Sequence, residues 1–302
     1  MIEGKNSLNT VSLEGYLKET NLQMKVVNGR EAITGSITIS VAENEDYRIR
    51  FFNYKTTSTG EDSANYLALR ELMSDQAMSI ATILKADGRL TFSQAALQAT
   101  QVWARGRFGV YDRKDERGEV HTFITLEGIR AGVKNNASRH PFAPEATFDI
   151  EAYVLSKSPE DEDGRVAVSL AIPDWYRETA VPVNFVCEDE SSVQCIASYE
   201  RGMSGRFVGR LKNFRKEEQK AAGKVVRFMD GSVSETRPTY SFVEERVIDK
   251  MTYPYEEGDE KYIDGETMKN LLANREMALS TLESAPRQSA TASAAPAKKF
   301  ML

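Results

Sequence analysis

Hydrophobic and polar residues alternate with a period of two in ten stretches of the chain, the pattern of strands with one buried and one exposed face. Five lie in the first half: NTVSLEGYL (9–17), AITGSITISV (32–41), DYRIRFFNYK (46–55), QVWARGRFGVYD (101–112) and EVHTFITLEGI (119–129). Between the third and fourth, over residues 62–100, apolar spacing changes to about 3.6, which predicts a helical insertion with Ser63 and Ser93 as N-caps. After a turn-rich connection the order repeats with TFDIEAYVLS (147–156), RVAVSLAI (165–172), VPVNFVC (181–187), a short helix at 191–200, SGRFVGRLKNF (204–214) and TYSFVEERVID (239–249). The repeated order predicts a duplication, anchored on Gly106-Arg107-Phe108 against Gly205-Arg206-Phe207.

Five antiparallel-type strands with a helix after the third fit an OB-fold, a small Greek-key barrel that binds oligonucleotides on its strand 2 and 3 face. The expected fold class is therefore mainly β with helical insertions: two tandem OB-fold barrels, a C-terminal helix and a flexible tail. The expected division is residues 1–140, 141–252 and 253–302, the last holding an acidic segment, an amphipathic helix around Met268, Leu271, Leu272 and Leu279, and a low-complexity end. That helix either docks a partner protein or packs back on its own chain.

Alternation also sorts the side chains. Tyr47, Ile49 and Phe51 fall inward, leaving Arg48, Arg50, Phe52 and Tyr54 outward. Val102, Ala104, Gly106, Phe108 and Val110 share the barrel face, and Trp103, Arg105, Arg107, Tyr111 and Arg113 share the other. In the second half Gly205, Phe207, Gly209 and Leu211 point inward, with Arg206, Arg210, Lys212 and Phe214 outward, which pairs Arg107 with Arg206. These outward residues are the candidate nucleic-acid contacts. Cations neutralise phosphates, and flat rings stack on unpaired bases for about 1–3 kcal/mol each. A basic stretch from Arg215 to Phe228 reads as a loop able to close over a bound strand. Trp175, beside Tyr176, is either a further stacking residue or a loop anchor.

The first 133 residues resemble bacterial and phage single-stranded DNA-binding proteins, and the second half does so more weakly. The opening pattern N-x-V-x-L-x-G-x-L is met by Asn9, Val11, Leu13, Gly15 and Leu17. The fourth-strand pattern is met by Val102, Ala104 and Gly106 followed by Arg107 and Phe108. The resemblance implies a non-catalytic protein that coats and protects single-stranded DNA during phage or bacterial replication and recombination. The insertion is longer than the family's short helix, two OB-like units are expected in one chain, and the chain ends AKKFML rather than in an acidic tip; tail-mediated partner recruitment therefore does not carry over directly, nor does assembly as a tetramer of single-unit chains, since a tandem chain could supply two units itself.

Composition narrows the alternatives. A net charge of −6 is a sum over the surface, whereas binding follows the local field. With only two histidines, His121 and His140, the chain is poor in the usual general base and metal ligand of a histidine-based hydrolase, and Gly106 and Gly109 lie in no P-loop or Rossmann pattern, so they read as strand glycines that allow either bending at barrel corners or close backbone approach. Cys187 and Cys195 lack ligand spacing and read as ordinary, partly buried thiols. The acidic clusters at 158–164 and 256–260 read as a solvated turn and a segment that competes with DNA, so deleting 253–302 is expected to tighten binding. No metal or cofactor is expected, and no leader or span is apparent, which suggests a cytoplasmic protein of a bacterium or an infected host cell. The expected partners are single-stranded DNA, with RNA not distinguished, replication or recombination proteins reached through the tail, and further copies of the chain. The rival reading is a structural or adaptor protein, in a virion or replisome, whose barrels serve protein contacts.

Overall fold

The computed structural model describes residues 8–134, 140–218 and 239–284. Its first half contains β1 (Asn9–Val27), β2 (Arg30–Ala42), β3 (Glu45–Tyr54), α1 (Ala64–Leu72), α2 (Ile80–Ala86), α3 (Phe92–Ala96), β4 (Gln101–Lys114) and β5 (Val120–Val133). The second half contains β6 (Glu145–Lys157), β7 (Val166–Asp174), β8 (Thr179–Cys187), α4 (Glu190–Ala197), β9 (Ser204–Glu218) and β10 (Thr239–Met251), followed by α5 (Gly265–Ser284). All ten strands belong to one sheet ordered β2-β3-β5-β4-β1-β6-β7-β8-β10-β9, with β1 also pairing β2 and β6 also pairing β9. Each half thus returns on itself through the same sequence of ladders. The β3–β5 and β8–β10 pairings are parallel, and the other ladders are antiparallel.

The halves are joined by backbone. Asn9 to Glu14 of β1 pairs antiparallel with Ile150 to Glu145 of β6, and one hydrophobic cluster runs through both halves. At the seam Phe108, Phe148 and Phe185 interlock, with ring centroids 5.1–5.9 Å apart. Such tilted and edge-on contacts add to the burial itself.

The expected inward set is buried: Tyr47, Ile49 and Phe51 on β3, Val102, Ala104, Gly106 and Phe108 on β4, and Gly205, Phe207, Gly209 and Leu211 on β9. The expected repeat register needs correction. A bulge interrupts the β4–β5 ladder where Arg105 faces Arg130 and Gly106 faces Gly128, and one interrupts β9–β10 where Val208 faces Lys250 and Gly209 faces Ile248. The ladder counterpart of Gly106 is therefore Gly209, four residues beyond Gly205, and the counterpart of Arg107 is Arg210. Both glycines answer one steric demand. A Cβ on Gly106 would lie 2.3 Å from the carbonyl oxygen of Glu127, and one on Gly209 would lie 1.9 Å from that of Val247.

The insertion forms three short helices. Ser63 caps α1 and Ser79 caps α2, but α3 is capped by Thr91 in a reciprocal capping box with Gln94, so Ser93 lies inside the helix. α1 adds Tyr66, Leu69 and Leu72 to the main core, while α2 and α3 pack their own small cluster against Tyr16.

α5 packs back on the chain. Its Met268 and Leu271 enclose Trp175 with Ala171, Ala180 and Ile263, and its buried Arg275 donates to both carboxylate oxygens of Asp112 at 2.5 Å. Deleting 253–302 would therefore unroof this cluster as well as remove the acidic segment. Cys187 is buried, which pushes its thiol up to about 12, and Cys195 is exposed. Among the described residues no helix is long and apolar enough to cross a membrane.

Candidate nucleic-acid interface

Lying between β2 and β5, strand β3 buries every second side chain and presents the intervening ones. Arg48, Arg50 and Phe52 are exposed on that face. Across β5, the outward ends of β4 and β5 bring Tyr111, Arg113 and Phe123 to the same side. Arg48, Arg50, Tyr111, Arg113 and Phe123 line a groove of about 420 Å³, closed at one side by Asn213 and Glu244 of the second half. Tyr47 donates its hydroxyl to the Leu211 carbonyl at 2.8 Å, so β9 forms a fixed wall.

Side-chain contacts organise the groove and the adjoining face of β3. The Arg50 guanidinium sits 4.7 Å from the Tyr111 ring centroid and that of Arg30 4.3 Å from the Tyr54 ring, while Phe52 meets Tyr54 edge-on at 5.0 Å. Arg48 donates to Ser36 Oγ at 2.9 Å. Arg48, Arg50 and Arg113 have no carboxylate partner among the described residues. Three aromatic rings remain open: Phe52 is 51% exposed, Phe123 50% and Tyr111 43%. Phe123 and Arg30 were not among the sequence candidates. Phe123 was legible, since Ile124 and Leu126 are the inward residues of β5, whereas the stacking of Arg30 on Tyr54 requires the β2–β3 register.

The other candidates lie elsewhere. Trp103 and Arg105 line a separate groove near β1 and β6. Arg107 is half-buried and bound to Glu127 at 3.0 Å, and Arg177 from the second half reaches the same carboxylate at 3.2 Å. Trp175 is 9% exposed beneath α5, so its indole anchors a loop and offers no face to a base.

In the second half the three candidate cations, Arg206, Arg210 and Lys212, are neutralised internally. Arg206 holds Asp149 through two bonds of 2.6 and 2.7 Å. Arg210 binds Asp249 and also Glu188, at 2.6 Å, and Lys212 binds Glu188 at 2.5 Å. Burial alone would raise the Glu188 carboxyl, but these bonds from Lys212 and Arg210 bring it below its usual value. Phe214, 39% exposed, is the ladder counterpart of Tyr111. The parallel ladders complete the comparison: Arg50 faces Glu127 as Val186 faces Val247. Asn184, Val186 and Glu188 therefore stand where the first half has Arg48, Arg50 and Phe52. The basic stretch expected as a loop is strand β9 as far as Glu218, and residues 219–228 lie outside the described residues.

At the β4–β5 turn, ligand atoms of Asp115, Glu119 and His121 lie within 4.8 Å of one another. Asp115 already accepts from His121 and from the Arg117 and Glu119 amides, and these bonds hold its carboxyl below the usual range. The cluster is accounted for as a turn brace.

The family model described as YorF matches residues 7–285. The chain is also similar to the single-stranded DNA binding protein from Thermus aquaticus. The wild-type structure is 10% identical over 83% of this chain and 95% of that one, with a TM-score of 0.45. A deletion mutant of that protein gives 12%, 83%, 96% and 0.46. No curated protein matches the chain.

Proposed function

We propose that this chain, which belongs to the YorF family, is a single-stranded DNA-binding protein whose principal binding groove lies on its N-terminal half. One observation carries the reading: the groove combines three arginines lacking carboxylate partners among the described residues with exposed Tyr111 and Phe123, and exposed Phe52 continues the same face of β3 beyond Arg50. Guanidinium groups neutralise phosphates, and open rings accept unpaired bases of any sequence, a combination that favours a single strand over a duplex whose bases are already stacked. We read residues 1–140 and 141–252 as two OB-type units, because the ladder order β1-β2-β3-β5-β4-β1 recurs in β6 to β10. On that reading the groove occupies the strand 2 and 3 face and the β4–β5 hairpin, the positions this fold uses for oligonucleotides. The second unit serves as a wall and scaffold, its matching cations being held by Asp149, Glu188 and Asp249. The role is binding: coating exposed strands, removing hairpins and shielding DNA during replication or recombination in a bacterial or infected cytoplasm. Binding only the open form shifts the melting equilibrium of a duplex.

The test is an anisotropy titration of labelled oligo-dT against a duplex of equal length, repeated over a salt series with the wild type, Arg50→Ala and Tyr111→Ala. The expected result is preferential, salt-sensitive binding to the single strand that both substitutions weaken. Equal affinity for both DNA forms at low salt would overturn the reading and favour the adaptor alternative, in which Phe52, Tyr111 and Phe123 meet protein.

A further inference from the structure

A second groove, of about 690 Å³, opens at the seam where β1 meets β4 and β6. Its floor contains an unusual pair. Arg105 of β4 and Arg130 of β5 stand directly opposite each other in the antiparallel ladder, both exposed, and neither has a carboxylate partner among the described residues. Like charges facing each other across strands destabilise a sheet, unlike the opposite-charge pairs that usually fill such positions. An anion bridging the two guanidinium groups would convert that repulsion into attraction.

The surroundings specify the anion. One carboxylate of the lining, Glu14, is already committed: it binds Lys134 at 2.8 Å and accepts the Ala143 amide at 2.9 Å. With Glu145 at the rim, the lining carries three cations against two carboxylates. Trp103, on the same strand face two residues before Arg105, lies over Gly132, where a Cβ would come within 3.3 Å of its Nε1. The glycine leaves room for the indole to lie flat against β5 as part of the groove wall. A flat ring beside a paired guanidinium site matches a base next to its phosphate.

We propose that this seam groove is a second contact for the bound single strand, with Arg105 and Arg130 gripping a phosphate and Trp103 stacking on the adjacent base. The proposal rests on the single-strand reading above and extends it along β4. From Arg113 back to Trp103 is ten residues, about 33 Å at strand rise, so one oligonucleotide can engage both grooves.

Trp103 supplies its own probe. The chain has two tryptophans, and the other, Trp175, is buried under α5. Oligo-dT of about 30 nucleotides, roughly twice the largest site size of one such fold, is titrated into the full-length protein while intrinsic fluorescence and anisotropy of an end label are followed together. The proposal expects fluorescence quenching that saturates with the anisotropy and disappears in Trp103→Phe. It also expects Arg105→Gln/Arg130→Gln to keep binding, lose most of the quenching and lower the salt slope by about 0.7 per phosphate released. If anisotropy reports binding but fluorescence is unchanged, or the double variant keeps the wild-type slope, the seam is not a DNA contact and the principal groove stands alone. If dTMP quenches Trp103 as effectively per nucleotide as the oligomer, the groove is a mononucleotide site and the proposal fails. If anisotropy shows no binding of any single strand, the single-strand reading itself has failed and takes this proposal with it.

Discussion

The asymmetry between the halves can be tested by charge substitution. Replacing Arg48, Arg50 and Arg113 with glutamine removes the three cations that lack carboxylate partners among the described residues of the principal groove. On a single strand each phosphate contact contributes about 0.7 to the slope of log affinity against log salt, so the triple variant should be shallower than wild type by about 2. Between 50 and 200 mM salt, that difference makes the wild type lose roughly 20-fold more affinity than the variant. The comparison variant replaces Arg206, Arg210 and Lys212 with glutamine. Those side chains already bind Asp149, Glu188 and Asp249, so they release few counterions from DNA. Its slope should stay within about 0.7 of wild type, the contribution of one phosphate. The ion pairs lost are partly exposed, where such pairs contribute little to stability, so a shared melting temperature provides the folding control. Anisotropy with oligo-dT at four or five salt concentrations reads both slopes. Equal losses in the two variants, or a larger loss in the second, would refute the assignment of the principal groove to the first half.

Three further outcomes follow from the packing. Glu127→Gln releases Arg107 and Arg177 from their shared carboxylate, so single-strand affinity should rise and the salt slope steepen in the same titration; unchanged binding would mean that neither arginine reaches DNA. Gly209→Ala forces a Cβ to within 1.9 Å of the Val247 carbonyl and should cost about 2–3 kcal/mol, read by calorimetry as a melting point lower by about 5 °C or more. Arg275 holds the Asp112 carboxyl below its usual value, so the stabilisation this pair gives α5 is complete above the unfolded carboxylate pKa of about 3.9 and is lost as pH falls through the lower folded value. In a Trp103→Phe background, acidification below that range should shift Trp175 emission to longer wavelength as α5 lifts, whereas Asp112→Asn should remove this step; an emission maximum constant to pH 2 would show that α5 does not depend on the pair.

The inner faces of the strands were legible in the sequence because they obey one strong rule. Tyr47, Ile49 and Phe51 alternate with arginines and Phe52, and burial follows that alternation. Strand length was less legible. β1 continues from the expected end at residue 17 to Val27, but Met24, Lys25 and Val26 in its distal part are exposed, so the ribbon is held by backbone pairing with β2 and leaves little hydrophobic signature. The repeat register was misread for a related reason. The string Gly-Arg-Phe recurs at Gly205, but the close approach that Gly106 makes beside its bulge is made in the second half by Gly209, outside that string.

Charge itself was visible in the sequence, and its availability was not. Arg50 and Arg210 are equivalent as letters and opposite in circumstance: Arg50 rests on a tyrosine ring, while Arg210 is held by Asp249 and Glu188. Their difference arises from carboxylates that are remote in sequence and arrive through β8 and β10. The same consideration explains how a chain of net charge −6 can present a basic groove. Several acids of the second half are engaged with neighbouring cations, and the lining of the principal groove carries three arginines against two carboxylates, Asp46 and Glu244. On the proposed reading, recognition depends less on how many arginines the chain carries than on which of them the fold leaves unanswered.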